Sequence, residues 1–350
     1  MVREVPPADV QAKWPPRNSV NPVTAGPALN VISILFCVLA YIVVALRIYV
    51  RGWLLRSFGV DDWLILICLL PALALAVASF MCTSYGWGIH VWDQKPEWYS
   101  PSELLSWIIQ LMYICNMFLT KVALLVSYLR FSRPGKFRLS VYAAIVVVTS
   151  WFIGSMITTI FECIPVQNFW LQRTYKGCPM NDDARLLACV LINIFTDFVV
   201  CLMPLRIVWQ VKIATREKVV LYVLLSLGLV ASIASIVRTI VMDKAITTFD
   251  ITWWGYSVWI WTCIECDLAI ICASVPCLRP LSKKFFFFLK TSSYGTRSGG
   301  SNAAETHRMD DFSKRSRRSV QEIGVRDEKH PEGRVGRLPS VIAESEESLV

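Results

Sequence analysis

Seven long apolar stretches, separated by short polar segments, constrain the fold of this 350-residue chain more than any other feature. About 20 apolar residues in a helix suffice to cross the hydrocarbon core of a bilayer. The stretches predict transmembrane helices at residues 28–46, 64–85, 103–128, 139–161, 186–209, 219–242 and 251–278. Composition agrees, because 55% of the residues are hydrophobic and only 17% are charged. We therefore expect an all-α membrane protein with a seven-transmembrane helix bundle.

Composition divides the chain into three regions. Residues 1–27 are polar and rich in proline, and they lack the apolar core of a signal peptide, which predicts a disordered extracytosolic leader. Residues 28–282 hold the helix bundle. Residues 283–350 begin with lysines around four phenylalanines, a pattern typical of a segment at an anionic lipid surface. The remainder of this C-terminal tail shows no apolar periodicity, and we expect it to be disordered.

The loops predict the orientation of the bundle through their basic residues. Eleven lysines and arginines lie after helices 1, 3 and 5, against four after helices 2, 4 and 6. Because basic residues are enriched in cytosolic loops, we expect the N-terminus outside and the C-terminal tail in the cytosol. The same rule explains the net charge of +9 without nucleic-acid binding. We expect the lipid bilayer to be that of the plasma membrane in preference to an internal membrane.

Two cysteines in the loop between helices 4 and 5 predict a disulfide. This orientation makes that loop extracytosolic, where disulfides persist. We expect Cys163 to pair with Cys178, and Cys82, near the outer end of helix 2, is the main competitor.

Five ionisable residues interrupt the predicted helices, at a depth where charge is costly and usually faces a bundle interior or a cavity. They are Lys121, Asp197, Arg238, Glu265 and Asp267. In one interpretation they form salt bridges that stabilise the bundle, and in the other they form a polar core that binds a ligand or changes pairing on activation. Glu265 and Asp267 point about 200° apart on a helix, so they cannot share one partner. We expect Glu265 to face inward, with Lys121 or Arg238 as its partner.

Neither catalysis nor cofactor chemistry is predicted. The three histidines lie in loops or the tail, and the sequence has no HExxH motif, no nucleophile–histidine pair in the membrane and no phosphate-binding glycine loop. We therefore expect no enzyme, no metal site and no cofactor. A retinal Schiff base needs a lysine, which in known rhodopsins lies on the last helix. Here that helix has none, and Lys121 on helix 3 is the only lysine in the predicted membrane spans. We therefore expect no retinal chemistry.

Several short motifs occur together in a specific order. Those of the first half are residues 47–51, 59–63, 86–90 and 121–130, and those of the second half are residues 161–165, 177–178, 196–197, 202–204, 235–238 and 276–280, together with Glu265. Over about residues 30–282 this order resembles the fungal rhodopsin-like domain, a family of seven-helix integral membrane proteins that includes the Pth-type receptors. The resemblance implies a receptor-like protein, and some relatives are associated with secondary-metabolite gene sets.

Three residues form a candidate cytosolic motif. Asp61 and Asp62 lie at the start of helix 2, where a carboxylate can cap free N–H groups. Arg130 ends a Tyr-Leu-Arg sequence that resembles the acidic-Arg-Tyr motif of G-protein-coupled receptors but lacks its acid.

The leading hypothesis is a receptor that senses an unknown small molecule and engages a heterotrimeric G protein. The alternative is an accessory membrane protein of a fungal secondary-metabolite pathway, as a scaffold or transport helper. A transporter is a weaker hypothesis, because no internal repeat is evident among the seven stretches.

Overall fold

A computed structural model describes residues 7–18, 21–131, 135–171, 182–210 and 215–278. Within these ranges the secondary structure is helical, without strands. Seven helices have 21 or more residues: α1 (Ala28–Ile48), α2 (Val60–Ser84), α3 (Tyr99–Phe131), α4 (Lys136–Ile160), α5 (Asp182–Gln210), α6 (Thr215–Thr248) and α7 (Ile251–Ser274). Short turns of helix also occur at Ala8–Gln11, Tyr49–Leu54, Pro96–Trp98, Asn168–Leu171 and Val275–Leu278.

Six of the long helices are long and apolar enough to cross a membrane. In the described part of the chain these spans are Ala28–Leu54, Val60–Ser84, Pro96–Arg130, Lys136–Ile160, Leu225–Thr248 and Ile251–Leu278. The described apolar part of α5 is shorter, at Leu187–Met203. Large apolar side chains face outward from several helices, for example Leu35, Leu70 and Val146. Such surfaces suit contact with lipid, so the chain is a multi-pass membrane protein.

Helix α7 lies at the centre of the described helices. It packs against α1, α2, α3 and α6 and is the most enclosed of the six candidate spans. Small residues let neighbouring helices approach closely. Gly228 of α6 is one such residue, because a Cβ there would collide with Cys201 of α5. Ser232 and Ser235, further along α6, are fully buried.

The segment before α1 and the loop after α2 pack onto the start of α7. The Ala25 N–H donates to the Gly88 carbonyl at 2.8 Å, and the Gly88 N–H donates to the Thr252 carbonyl at 3.1 Å. Gly88 has φ +90°, and a Cβ there would lie 2.9 Å from the Tyr256 ring. Glycine alone meets both conditions without strain.

His90 of the same loop contacts two tryptophan rings and one carboxylate. Its ring stacks between Trp92 and Trp253, with centroids 4.5 and 4.1 Å away. Its Nδ1 lies 2.6 Å from Oδ2 of Asp250, the residue that precedes α7. The loop is thus fixed to the beginning of α7 by stacking and by a polar contact.

Some helix boundaries differ from the sequence prediction. Helices α3 (Tyr99–Phe131) and α6 (Thr215–Thr248) extend beyond the predicted residues 103–128 and 219–242, because the prediction ended near charged residues, which the ends of a helix tolerate. Helix α2 begins at Val60, four residues earlier than predicted, and includes Asp61 and Asp62 in its first turn. Within the predicted seventh span the α-helix ends at Ser274, and a 3₁₀ turn that contains Pro276 follows. The predicted tail, residues 283–350, lies outside the described residues.

Candidate functional site: a buried polar network between two cavities

Helices α3 and α5 form an ion pair in the interior of the bundle. Lys121 Nζ lies 2.9 Å from Asp197 Oδ1. The same ammonium donates to Asn193 Oδ1 and to Thr196 Oγ1, each at 2.7 Å. Lys121 is 3% exposed, so these partners, rather than water, stabilise its charged form.

Helices α6 and α7 form a second buried ion pair. Arg238 Nε lies 2.9 Å from Glu265 Oε2. The two atoms are close, but the N–H does not point at the oxygen well enough for a hydrogen bond. Tyr113 of α3 completes the contact: Arg238 Nη2 donates to its hydroxyl at 2.7 Å, and that hydroxyl donates to Glu265 Oε1 at 2.9 Å.

Asn193 connects the two ion pairs. Its Nδ2 lies within hydrogen-bond distance of the Tyr113 hydroxyl (3.0 Å), Glu265 Oε1 (3.1 Å) and Asp197 Oδ2 (3.2 Å). Its Oδ1 accepts from Lys121. We call this set the polar network: Tyr113, Lys121, Asn193, Asp197, Arg238 and Glu265. It joins α3, α5, α6 and α7, and its two cations balance its two carboxylates.

The polar network lies between two cavities. The Trp259 cavity lies toward the start of α7 and is lined by Trp259, Gln110 and Met242, among others, with a volume of about 60 Å³. The Tyr128 cavity lies toward the end of α7, next to Tyr128 and Cys272, with a volume of about 50 Å³. Each is larger than the ~10–15 Å³ that one water molecule requires.

Members of the polar network line both cavities. Tyr113, Asn193 and Arg238 border the Trp259 cavity, whereas Lys121, Asp197 and Glu265 border the Tyr128 cavity. A molecule in the Trp259 cavity would therefore contact Arg238 and Asn193, and these residues are bonded to Glu265 and Lys121, which line the Tyr128 cavity. The arrangement can couple occupancy of one cavity to the pairing of charges at the other.

The structure brings together four of the five predicted intramembrane ionisable residues. Lys121, Asp197, Arg238 and Glu265 meet in the polar network, and Glu265 is paired with Arg238 and not with Lys121. Asp267 lies apart from them. It is 5% exposed, near Cys37 and Tyr41 of α1, and has no hydrogen-bond or ion-pair partner among the described residues. Since it follows Glu265 by two residues, it belongs to the opposite face of α7.

Tyr113 was missed by the sequence reasoning. It is uncharged and lies within an apolar stretch, so nothing in the sequence separates it from a packing residue. Asn193 had a signal, because it lies one helical turn before Asp197 and therefore shares its face.

A second charged cluster lies where α1 ends and α2 begins. Arg47 contacts Asp61 at 2.7 Å and Asp62 at 2.8 Å, and Arg51 contacts Asp61 at 2.9 Å. Arg47 also donates to the carbonyl of Ala273 in α7 at 2.7 Å. All four charged side chains are buried.

Helix capping is only part of the role of the two aspartates. Asp62 is the third residue of α2, and its side chain accepts a hydrogen bond at 3.0 Å from the N–H of Gly59, which caps the helix. Their main contacts are the two arginines, and the basic character of a loop does not indicate such partners. Arg130, at the end of α3, reaches Asp61 at 3.4 Å and the Ser57 carbonyl at 2.8 Å, and its side chain is 36% exposed.

The two aspartates also lie close to Cys277, and the three offer ligand-type atoms within 4.8 Å of one another. Arg47 and Arg51 already neutralise the carboxylates, and Arg51 Nη2 lies 3.0 Å from Cys277 Sγ. A metal ion here would add positive charge beside carboxylates that are already neutralised, so the residues fit an ion-pair cluster better than a metal site.

The predicted disulfide lies at the edge of the described residues. Cys163 is buried beside Phe169. Cys178 lies outside the described residues, so the Cys163–Cys178 link stays a prediction.

Lys121 does not match the retinal-binding lysine of known rhodopsins, because it lies on α3 and not on the last helix. Its ammonium is held by an aspartate, an asparagine and a threonine.

Comparisons with known proteins find several similar chains. "Receptor GIN3" of Arthrobotrys oligospora is 29% identical over 263 residues, which are 73% of this chain and 62% of the relative. A "SAT4 family membrane protein" of Emericella nidulans is 26% identical over 235 residues, 65% of this chain and 58% of the relative. "Fugralins biosynthesis cluster protein 2" of Gibberella zeae is 25% identical over 290 residues, 79% of this chain and 71% of the relative.

The chain spans about three fifths of the length of the first two relatives. No solved structure matches it. The family model of the fungal rhodopsin domain matches residues 46–284. This match covers most of the chain and all the residues of the polar network, and we conclude that the chain belongs to the fungal rhodopsin domain family.

Proposed function

We propose that the protein is a seven-helix receptor of the plasma membrane that senses an external small molecule and signals through a heterotrimeric G protein. The observation that carries the proposal is the polar network, which contacts one cavity on each side. A receptor needs a site for its signal and an element with two arrangements that the signal can bias. The Trp259 cavity provides the first, and the two linked ion pairs provide the second.

The proposed topology has α5 as the seventh span, an outside N-terminus and a cytosolic C-terminus. Helix α5 has 29 residues, enough to cross a bilayer at about 1.5 Å per residue. The excess of basic residues in the loops after α1, α3 and α5 supports the orientation. In this orientation the Trp259 cavity belongs to the outer half of the bundle, and the cluster of Arg47, Asp61 and Arg130 belongs to the cytosolic end.

A relative named as a receptor supports the same function. The test is to purify the tagged protein from native fungal membranes and to quantify bound Gα with and without a non-hydrolysable GTP analogue. The proposal predicts Gα that is retained without nucleotide and released with it. The absence of Gα from the purified protein contradicts it.

The second candidate is an accessory role in a secondary-metabolite pathway. Three relatives carry names of biosynthesis cluster proteins, which favours this role. It predicts that the same purification recovers biosynthetic enzymes or transporters instead of Gα.

A further inference from the structure

We infer that the turn between α1 and α2 binds the headgroup of an anionic phospholipid, with Arg56 and Arg130 as the residues that contact its phosphate. We call residues 55–59 the Arg56 turn, since they join the π-helical turn Tyr49–Leu54 to the start of α2. The inference goes beyond the proposed function. It uses the proposed orientation, which places the turn at the cytosolic leaflet, where anionic lipids are concentrated, and it does not depend on a G protein.

Exposed tryptophans flank the Arg56 turn on both sides. Along α2, the exposed side chains of Leu70, Ile67 and Trp63 follow one another at helical spacing, and Trp63 is the last of them before the turn. On the other side, Trp53 of the π-helical turn is 81% exposed. Tryptophan is enriched at the level of lipid headgroups, where its apolar ring meets lipid and its N–H meets water. The two tryptophans therefore indicate a headgroup level for the turn between them.

The cluster around this turn carries more positive than negative charge. Its members are four arginines and two aspartates: Arg47, Arg51, Arg56, Arg130, Asp61 and Asp62. Two of the arginines and both aspartates are buried and pair with one another. Four cations and two carboxylates leave an excess of two positive charges, and this excess lies on the exposed side of the cluster.

Arg130 holds its guanidinium beside the Arg56 turn. Its Nη2 donates to the Ser57 carbonyl at 2.8 Å, and its side chain is 36% exposed. Its Nη1 lies 3.4 Å from Asp61 Oδ1, whereas the two buried arginines contact the other oxygen of that carboxylate at 2.7 and 2.9 Å. Asp61 is thus shared among three arginines, and Arg130, which has the longest contact, retains most of its charge for an outside anion.

Arg56 adds the second exposed charge. It immediately precedes Ser57, the residue that Arg130 contacts, and it is exposed. Its backbone has φ +47°, in the left-handed region that glycine adopts without a steric penalty. The conformation of the turn therefore does not explain an arginine at this position, whereas contact with an anion does.

The excess charge and the exposed apolar surface together favour a phospholipid with a phosphomonoester headgroup. Guanidinium groups bind phosphate through paired N–H donors, and a phosphomonoester carries about −1.5 to −2 charges at pH 7, which matches an excess of two. Phosphate in solution offers the same oxygens. It cannot cover Trp53, Trp63 and Val60, whose exposed fractions are 81, 60 and 67%, whereas the acyl chains of a lipid can.

The test uses the purified full chain in detergent and phosphatidic acid as the probe, with native mass spectrometry to count the lipids that each protein retains. Phosphatidylserine and phosphatidylcholine with the same acyl chains serve as comparison lipids. We expect phosphatidic acid to bind most tightly and phosphatidylcholine least. Arg56→Gln should weaken binding of the first phosphatidic acid about fivefold, and Arg56→Gln with Arg130→Gln about 25-fold.

A matched control removes one exposed charge from another part of the chain. Lys13→Gln changes the segment before α1 and should leave the affinity for phosphatidic acid unchanged. Every variant keeps the basic residues of the C-terminal tail, so a difference between variants reports the Arg56 turn. Thermal unfolding identifies any loss caused by misfolding, and Arg56→Gln, at an exposed position, keeps the test decisive if the double variant does not fold.

Three results overturn the inference: equal affinity of Arg56→Gln and the wild type, retention of phosphatidylcholine as tight as that of phosphatidic acid, and a loss in Lys13→Gln as large as in Arg56→Gln. Displacement of the lipid by an equal concentration of glycerol 3-phosphate would show that the site recognises phosphate alone, against the assignment to a lipid. No Gα is present in this measurement, so lipid binding without Gα retention from native membranes rejects the receptor function and leaves the lipid site.

Discussion

Replacing Glu265 with glutamine isolates the charge of one buried ion pair. Glu265 is 1% exposed and lies 2.9 Å from Arg238. The glutamine keeps an oxygen that can accept from Tyr113 and Asn193, so the change removes the charge and little of the shape. Arg238 is then left as an uncompensated buried cation.

The expected loss follows from the burial of both partners. Breaking a buried pair by removing one member costs about 3–5 kcal/mol. For a domain of about 250 residues, 1 kcal/mol shifts the melting temperature by about 2–4 °C. Glu265→Gln should therefore lower the melting temperature on the order of 6–20 °C, measured by thermal unfolding in one detergent.

Two variants separate the unpaired charge from other causes. Glu97→Gln makes the same chemical change at an exposed position in the short helical turn Pro96–Trp98 and should leave the melting temperature within about 1 °C. Arg238→Met combined with Glu265→Gln removes both charges and should recover most of the loss, because an ion pair can be replaced without a large penalty. If Glu265→Gln has the same melting temperature as the wild type, or if the double variant melts as low as Glu265→Gln, the reasoning is refuted.

Three further predictions follow from other parts of the structure. Arg47→Ala should destabilise the protein by about 3–5 kcal/mol, since it leaves two buried aspartates short of a partner, whereas Arg130→Ala should cost no more than about 1 kcal/mol. Equal melting temperatures for these two variants would contradict the buried cluster. Gly228→Ala should cost about 1–3 kcal/mol because its methyl group meets Cys201, while Gly154→Ala, which has open space around it, should be neutral or stabilising. The opposite order of melting temperatures would be incompatible with close packing of α5 and α6. Mass spectrometry of the non-reduced protein should find a peptide linked through Cys163 and Cys178, and free thiols at both positions would refute the predicted disulfide.

The helical architecture could be predicted because apolar length is a local property of the sequence. The polar network was predicted in part for the same reason. A charge inside an apolar stretch is conspicuous, so Lys121, Asp197, Arg238 and Glu265 were recognised, but which charges pair depends on how four helices rotate and pack. The angular argument that separated Glu265 from Asp267 required only helix geometry, which explains why it could be made from the sequence.

Other parts of the site depend on tertiary contacts that leave no local pattern. Tyr113 matters because its hydroxyl meets Arg238 and Glu265, and an uncharged residue in an apolar helix gives no sign of that. Arg47 follows the positive-inside pattern, which explained its charge before its partners were known. Its burial against Asp61 arises from the π-helical turn at Tyr49–Leu54 and the return of the chain into α2.

The central claim is that the polar network couples the Trp259 cavity to the cytosolic end of the bundle. The most direct measurement compares the wild type, Glu265→Gln and Glu97→Gln for Gα retained from native membranes without nucleotide and released by a GTP analogue, per mole of folded protein. We predict that Glu265→Gln changes the retained fraction, because it unpairs Arg238, and that Glu97→Gln does not. Nucleotide-sensitive retention that is the same in all three proteins would contradict the claim.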